Sequence, residues 1–155
     1  MNAQPALLPV IIPSGQGQIL RAFGDEIIVH LGSRQTGGQF TMFTDITPPG
    51  GGPPPHYHTI EDEWFHVLEG TVSYFVDGKW QDPVGPGGTA YAPRGSIHAF
   101  KNAGDRPLRQ LITTSPAGFE NFFARCGDEF AKPGVPNMER IIAISAEHGI
   151  HYVNL

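Results

Sequence analysis

Hydrophobic and polar positions fall into two textures along the chain. From Gln18 to about Ser115 the apolar residues come in short runs, often alternating with polar ones, and Gly, Pro or Asp-Gly pairs break each run. Alternation with a period of two marks strands that bury one face. The pattern predicts a strand, a turn at Gly24-Asp25, and a second strand from about Glu26 to Leu31. A β-branched and aromatic strand follows over Gln39 to Ile46, ending in the rigid stretch "TPPGGGPPP". "EWFHVLEGTVSYFVDGKWQD" reads as a meander. One strand runs to Leu68, Glu69-Gly70 turns, the next strand covers Thr71 to Val76, and Asp77-Gly78 signals a hairpin. Two more short strands flank Pro93-Arg94-Gly95, and "LRQLITTSP" is another. After that the period changes. Apolar residues at 119, 122, 123, 126 and 130 fit a helix, with Pro133 beyond its end. Met138, Ile141, Ile142, Ile144 and Ala146 fit a second helix, with Asn137 as N-cap and Gly149 as its stop.

About eight short strands before two helices predict an all-β barrel or jelly roll, with helices over one open end or face. The expected organisation is an N-terminal arm over 1–15, a barrel over 16–115 and a helical segment over 116–155. The 155-residue length suits one domain with a sizeable core. Twenty glycines and fifteen prolines agree with many turns. The net charge of −5, with no basic run, argues against nucleic acid and anionic membrane surfaces as partners. One cysteine, Cys126, permits no intrachain disulfide and fits a cytoplasmic setting. At helical spacing from Phe122 and Phe130, it reads as a small buried apolar residue. Three prolines interrupt the apolar start of the chain, and no run reaches membrane-spanning length.

The chemistry concentrates in "GGGPPPHYHTIEDEWFHVLEG", Gly50 to Gly70. His56 and His58 stand two apart, so on a strand they share a face and can reach one ion. Glu63 returns after a four-residue loop. Neutral imidazoles and a carboxylate together suit iron, manganese, nickel, copper or zinc. His98 lies far along the chain, and spacing alone leaves its membership open. Asp62, one residue earlier, could take the place of Glu63. If Glu63, Phe65 and Val67 face inward, His66 faces outward. Glu61 and Asp62 are read as loop caps, and His30, His148 and His151 lack partners at ligand spacing.

These residues resemble the two motifs of the cupin superfamily. Gly50, His56, His58, Glu63 and Gly70 fill the first; Gly87, Pro93, Gly95, His98 and Asn102 fill the second. "TGG" at Thr36 to Gly38 and the tail from "TSPAGFENFF" resemble single-domain, quercetin-dioxygenase-like cupins of the cupin-2 conserved-barrel type. The resemblance implies a double-stranded β-helix, or jelly-roll, barrel. It implies one divalent transition metal per chain, held by His56, His58, Glu63 and His98, with coordination positions left open. It also implies a homodimer, in which the Pro-rich arm could exchange between subunits.

Phe65, Val67, Phe75, Tyr91 and Phe100 are candidate pocket walls, with plain barrel core the equal alternative. Phe119, Phe122 and Phe123 are read as helix-packing residues, some of which could close the barrel mouth. Three function classes follow. The first is a metal-dependent dioxygenase acting on a small enolic, catecholic or flavonoid substrate, with Glu63 as both ligand and general base. The second is a metal-dependent isomerase or decarboxylase of an oxo-acid or sugar derivative, which needs an inward cation such as Arg94 or Arg109. The third is a non-catalytic small-molecule-binding cupin.

Overall fold

The structure, a computed structural model, describes residues 7–153; the first six residues of the expected arm lie outside them. The elements run β1 (Gln18–Ala22), β2 (Asp25–Leu31), α1 (Ser33–Thr36), β3 (Thr41–Thr47), β4 (His56–His58), β5 (Asp62–Glu69) and β6 (Val72–Val76). They continue β7 (Lys79–Trp80), β8 (Thr89–Ala92), β9 (Ala99–Asn102), β10 (Leu108–Ser115), α2 (Phe119–Phe130), α3 (Met138–Glu147) and β11 (Ile150–Tyr152). Asp77-Gly78 makes the expected hairpin, both residues at positive φ. The first turn is one residue earlier than expected, at Phe23-Gly24, with Phe23 held at φ 59°.

A six-stranded antiparallel sheet in the order β1-β2-β3-β10-β5-β8 is joined by a three-stranded sheet, β7-β6-β9, and the pair β11-β4. This is a jelly roll of opposed sheets, not one continuously closed sheet. β11 was not expected. Three residues carry too little periodicity to announce a strand, and its pairing with β4 is wholly non-local.

The register of the large sheet stacks its inner side chains in layers. Thr41, Thr114 and Glu63 form the first; Phe43, Ile112 and Phe65 the second; Asp45 and Gln110 the third, beside Ile27 and Val67. Thr47 and Leu108 follow, with Asp25 next to Thr47 at the start of β2. An apolar layer thus lies between two polar ones.

Both helices bury one face on this barrel. Phe119, Phe122, Phe123 and Cys126 of α2 and Ile141 and Ile144 of α3 are buried, which is where most helical stability comes from in a protein. Asn137 caps α3 by accepting from the Arg140 amide at 3.0 Å. The cap residue of α2 is Gly118, which has no side chain to offer, and Glu120 takes over. Its carboxylate accepts from the Ser33 amide (2.7 Å), the Ser33 hydroxyl (2.6 Å), Thr41 Oγ1 and the Gly118 amide (3.1 Å). Burial works to raise its pKa, but the hydrogen bonds from Ser33 and Thr41 outweigh it and hold the pKa below the usual range. One side chain thereby ties the start of α2 to α1 and β3. Removing it as Glu120→Ala leaves the hydroxyl proton of buried Thr41 without its acceptor and should cost about 2–3 kcal/mol of unfolding free energy, read from urea denaturation.

Candidate metal centre and its cavity

Four side chains from three parts of the chain meet at one end of the barrel. His56 and His58 lie on β4, Glu63 on β5, and His98 just before β9. An antiparallel backbone bridge sets the distant member: the His56 amide donates to the His98 carbonyl at 3.0 Å and the His98 amide to His56 at 2.9 Å. Two glycines allow this approach. A Cβ on Gly52 (φ 138°) would stand 2.1 Å from the Phe100 carbonyl oxygen. Gly95 (φ 83°) donates its amide to the His58 carbonyl at 2.7 Å. Asn102 locks the far side, its Nδ2 donating to the Thr47 and Arg106 carbonyls.

Each imidazole is aimed by its outer nitrogen. His56 Nδ1 faces the Pro54 carbonyl (2.9 Å), His98 Nδ1 the Ser96 carbonyl (3.0 Å) and His58 Nδ1 the Glu61 carboxylate (3.3 Å). Carbonyl and carboxylate oxygens only accept, so the Nδ1 atoms carry the protons and the Nε2 lone pairs turn inward. His56 Nε2 and His58 Nε2 stand 3.1 Å apart, and Glu63 Oε2 lies 3.0 Å from His98 Nε2 and 3.4 Å from His58 Nε2. All four donor atoms fall within 4.8 Å of one another, and all four residues are buried. Facing lone pairs at that distance repel unless a cation lies between them. The donor set fits a divalent transition ion.

The protonation states of His56 and Glu63 agree with that fit, while the proton that Glu63 draws onto His98 is one a bound cation would displace. Burial, then the charges of His98 and His58, push His56 down to about 4, so it is a neutral ligand at pH 7. Burial opposes ionisation of Glu63, but the His98 hydrogen bond and the surrounding imidazoles outweigh it, and its pKa falls. Burial likewise works against His98⁺, yet the Glu63 contact prevails and raises its pKa.

The other candidates sort by strand phase. On β5, Glu63, Phe65 and Val67 are buried while Trp64, His66 and Leu68 are exposed. His66 therefore points outward, where it meets Thr89 at 3.0 Å. Asp62 is no alternative ligand: it lies on the outside, bound to Arg94 through both carboxylate oxygens. That hydrogen-bonded pair holds Asp62 at about 2. Phe65 and Phe100 line a cavity next to the four residues. Val67 is buried core that does not reach it. Tyr91 is a correction: 60% exposed, it pairs in register with outward Trp64 on the outer face. Phe75 is another. On β6 it packs against Trp80 on β7, and its neighbour Tyr74 points inward to donate to Gln110 at 2.6 Å.

That cavity has a volume of about 370 Å³ between the large sheet and the helices. Phe119, Phe122 and Phe123 line it, so these α2 residues wall the cavity as well as pack the helix. Phe119 stacks on His58, with ring centroids 5.4 Å apart. Phe23, fixed in its left-handed turn, reaches the cavity and packs against Phe122 and Phe130. The charged lining is acidic: Asp25, Asp45 and Glu63, with no Lys or Arg among the described residues.

Sequence reasoning missed Glu61, Asp25 and Asp45. The inward phase of β3, Phe43-x-Asp45-x-Thr47, carried the signal for Asp45. Glu61 had none, because only the turn of the chain after β4 buries it under His58.

Residues 44–114 match the cupin domain family. Over this stretch, a little under half of its length, the chain carries a cupin domain. Among curated relatives, it is 27% identical to the quercetin 2,3-dioxygenase of Bacillus subtilis (strain 168) over 124 residues, covering 79% of this chain and 36% of that protein. The chain spans about a third of the length of the curated relatives it matches. In structure it resembles a predicted oxalate decarboxylase from Thermotoga maritima (TM-score 0.63, 20% identity, 69% of this chain and 99% of that one). It also resembles a sugar phosphate isomerase from Silicibacter pomeroyi (TM-score 0.52, 26% identity, 64% and 68%). No helix of the described residues is long and apolar enough to cross a membrane.

Two outcomes test this cupin site. Isothermal titration with manganese(II) or zinc(II) should show a single tight site, lost in His98→Ala. Glu61→Gln should weaken it about 10–100-fold by releasing the His58 ring, while Asp62→Asn leaves it unchanged. The second concerns Asp25 and Asp45. Burial pushes Asp25 up to about 7, with hydrogen bonds to Thr47 and Asp45 offsetting only part. Asp45 stands well above the usual range, through burial and then the charges of Asp25 and Glu63. The native state therefore keeps protons that the unfolded chain has already released, so these groups stabilise fully below about pH 4 and lose that contribution as pH rises through about 7. Thermal melts across this range should show Asp45→Asn gaining stability relative to wild type as pH rises.

Proposed function

We propose that the protein is a metal-dependent dioxygenase acting on a small, flat, uncharged substrate of the enolic, catecholic or flavonoid kind. One observation carries this reading. The His/Glu cluster opens onto an aromatic cavity whose charged lining is acidic, with His56 and Glu63 in its wall. Aromatic walls favour a flat apolar body. An oxo-acid or sugar phosphate would bring negative charge beside Asp25, Asp45 and Glu63 with no Lys or Arg in the lining to share it with the ion. Arg94 is engaged by Asp62 and Arg109 lies 3.9 Å from Glu69, both away from the cavity. This favours the oxygenase over the isomerase or decarboxylase, despite the fold shared with proteins of those names. The likeness to a quercetin 2,3-dioxygenase supports the same direction.

In this reading His56, His58, His98 and Glu63 hold the ion. A bound transition ion supplies Lewis acidity and redox activation at that point. Glu63, ionised and buried, accepts the proton of the substrate's enol or phenol hydroxyl on a carboxylate oxygen. Phe65, Phe100 and Phe119 hold the ring plane and exclude water. Dioxygen is the oxidant. A cytoplasmic setting and a homodimer belong to the same proposal. The single cysteine of the chain fits the first, and the exposed apolar arm residues Leu8 and Ile11 fit the second.

An oxygen electrode tests the reading. Protein reconstituted in turn with iron(II), manganese(II), nickel(II) or copper(II) should consume O2 in at least one form with a flavonol, a catechol or a β-diketone, with the zinc(II) form as the redox-inert control. Glu63→Gln should lower the rate about 100-fold or more. Ligand binding without O2 uptake in every metal form would point instead to a non-catalytic binding cupin.

A further inference from the structure

We infer that the Asp25–Asp45 carboxyl pair is a second, hydroxyl-recognising subsite of the cavity, which holds the phenolic end of an aromatic ligand away from the metal cluster. The inference rests on the flat aromatic ligand of the preceding section and adds what receives its other end.

Both side chains line the same cavity as His56 and Glu63. The sheet register separates them from the cluster. Glu63 sits in the Thr41–Thr114 layer, and Asp45 sits two same-face steps along, in the Gln110 layer. Two such steps span about 13 Å of strand. Between them lie Phe43, Ile112 and Phe65, all cavity-lining, the bed for a ring system. A ligand lying on that bed presents one end to the cluster and the other to the carboxyl pair.

The pair is built for a hydroxyl. The β2–β3 register sets Asp25 beside Thr47 and one layer from Asp45, both acids lining the one cavity, and Thr47 Oγ1 is 3.4 Å from Asp45 Oδ1. Two carboxylates in such proximity bond only if one keeps a proton. The raised pKa values of both residues agree. With that proton spent between the two acids, the pair shows the cavity carboxyl oxygens that accept. A ligand hydroxyl can donate to them; an ether oxygen only accepts, and a second carboxylate is repelled.

A second observation places unspent polarity at the same spot. Gln110, wholly buried and directly across the β3–β10 register from Asp45, accepts from Tyr74 through Oε1, but its Nε2 donor has no partner. The unpaired Nε2 lies in the same inward layer as Asp45, behind the cavity wall that Asp45 and Asp25 form. No Lys or Arg among the described cavity-lining residues neutralises the acids as an internal salt bridge would.

The experiment is a binding comparison on the purified, metal-loaded protein. The probes are quercetin, which carries ring hydroxyls beyond its enol, and unsubstituted flavonol, which does not. Fluorescence titration should show the wild-type protein binding quercetin about tenfold tighter than flavonol or better. In Asp45→Leu, which replaces the buried acid with an apolar group of similar size, the preference should shrink to about twofold or less, with flavonol affinity kept. Asp25→Ala, at the half-buried end of the pair, should act in the same direction and decides the matter if Asp45→Leu does not fold. No quercetin preference in the wild-type protein overturns the subsite, and so does a preference that survives in the folded variants. O2 uptake without the preference sinks the subsite and leaves the dioxygenase standing. The preference without O2 uptake in any metal form does the reverse.

Discussion

The antiparallel bridge between the backbones of His56 and His98 is the contact on which the site depends. Two amide–carbonyl bonds, at 3.0 and 2.9 Å, fix a residue of the second motif against a residue of the first. Around that bridge the other parts have local causes. The period of two puts His58 beside His56, and the inward phase of β5 brings Glu63 opposite. Gly52 and Gly95 let backbones close to distances that a Cβ or a right-handed φ would forbid. The outer nitrogens of the three rings, each bound to an oxygen, then turn every Nε2 to the same point. The cluster is held by main-chain geometry more than by its own side chains, which suits a site whose lone pairs repel until a cation is bound.

The rest of the interior is organised in layers that follow from strand phase. A polar layer at Glu63, an apolar one at Phe43, Ile112 and Phe65, and a second polar layer at Asp45 and Gln110 lie along one sheet. Glu63 is held ionised by the imidazoles around it, whereas Asp25 and Asp45, with no Lys or Arg among the described lining residues, are neutralised by retained protons. The helices finish the enclosure. Glu120 secures α2 against α1 and β3, and through that latch Phe119 is set on the face of His58.

Much of this was legible in the residues. Short alternating runs separated by Gly and Pro fixed a strand-rich barrel, and the change of period after Ser115 fixed two helices with Asn137 capping the second. His56, His58, Glu63 and His98 stood out through their motif spacing, and the outward phase of His66 followed from Glu63 alone. The errors have one source. Tyr91 and Phe75 are aromatic residues on short strands, and neither composition nor a run of four or five residues reveals which phase of such a strand faces in. On β6 the answer was Tyr74, because it is the residue opposite Phe100 across the pairing with β9.

The sequence by itself determined the strand-rich fold, the two helices and the identity of the metal-ligand candidates, because alternation, helical period and motif spacing are local and survive without knowledge of neighbours. Only the tertiary structure decided the rest. β11 exists because β4 offers it an edge. Glu61 comes under His58 because the chain folds back after β4, and Asp25 meets Asp45 because β2 pairs with β3 in one register and not another. A pairing register is a non-local choice, settled by the packing of the whole barrel, and a one-residue slip would send each of these side chains to the other face.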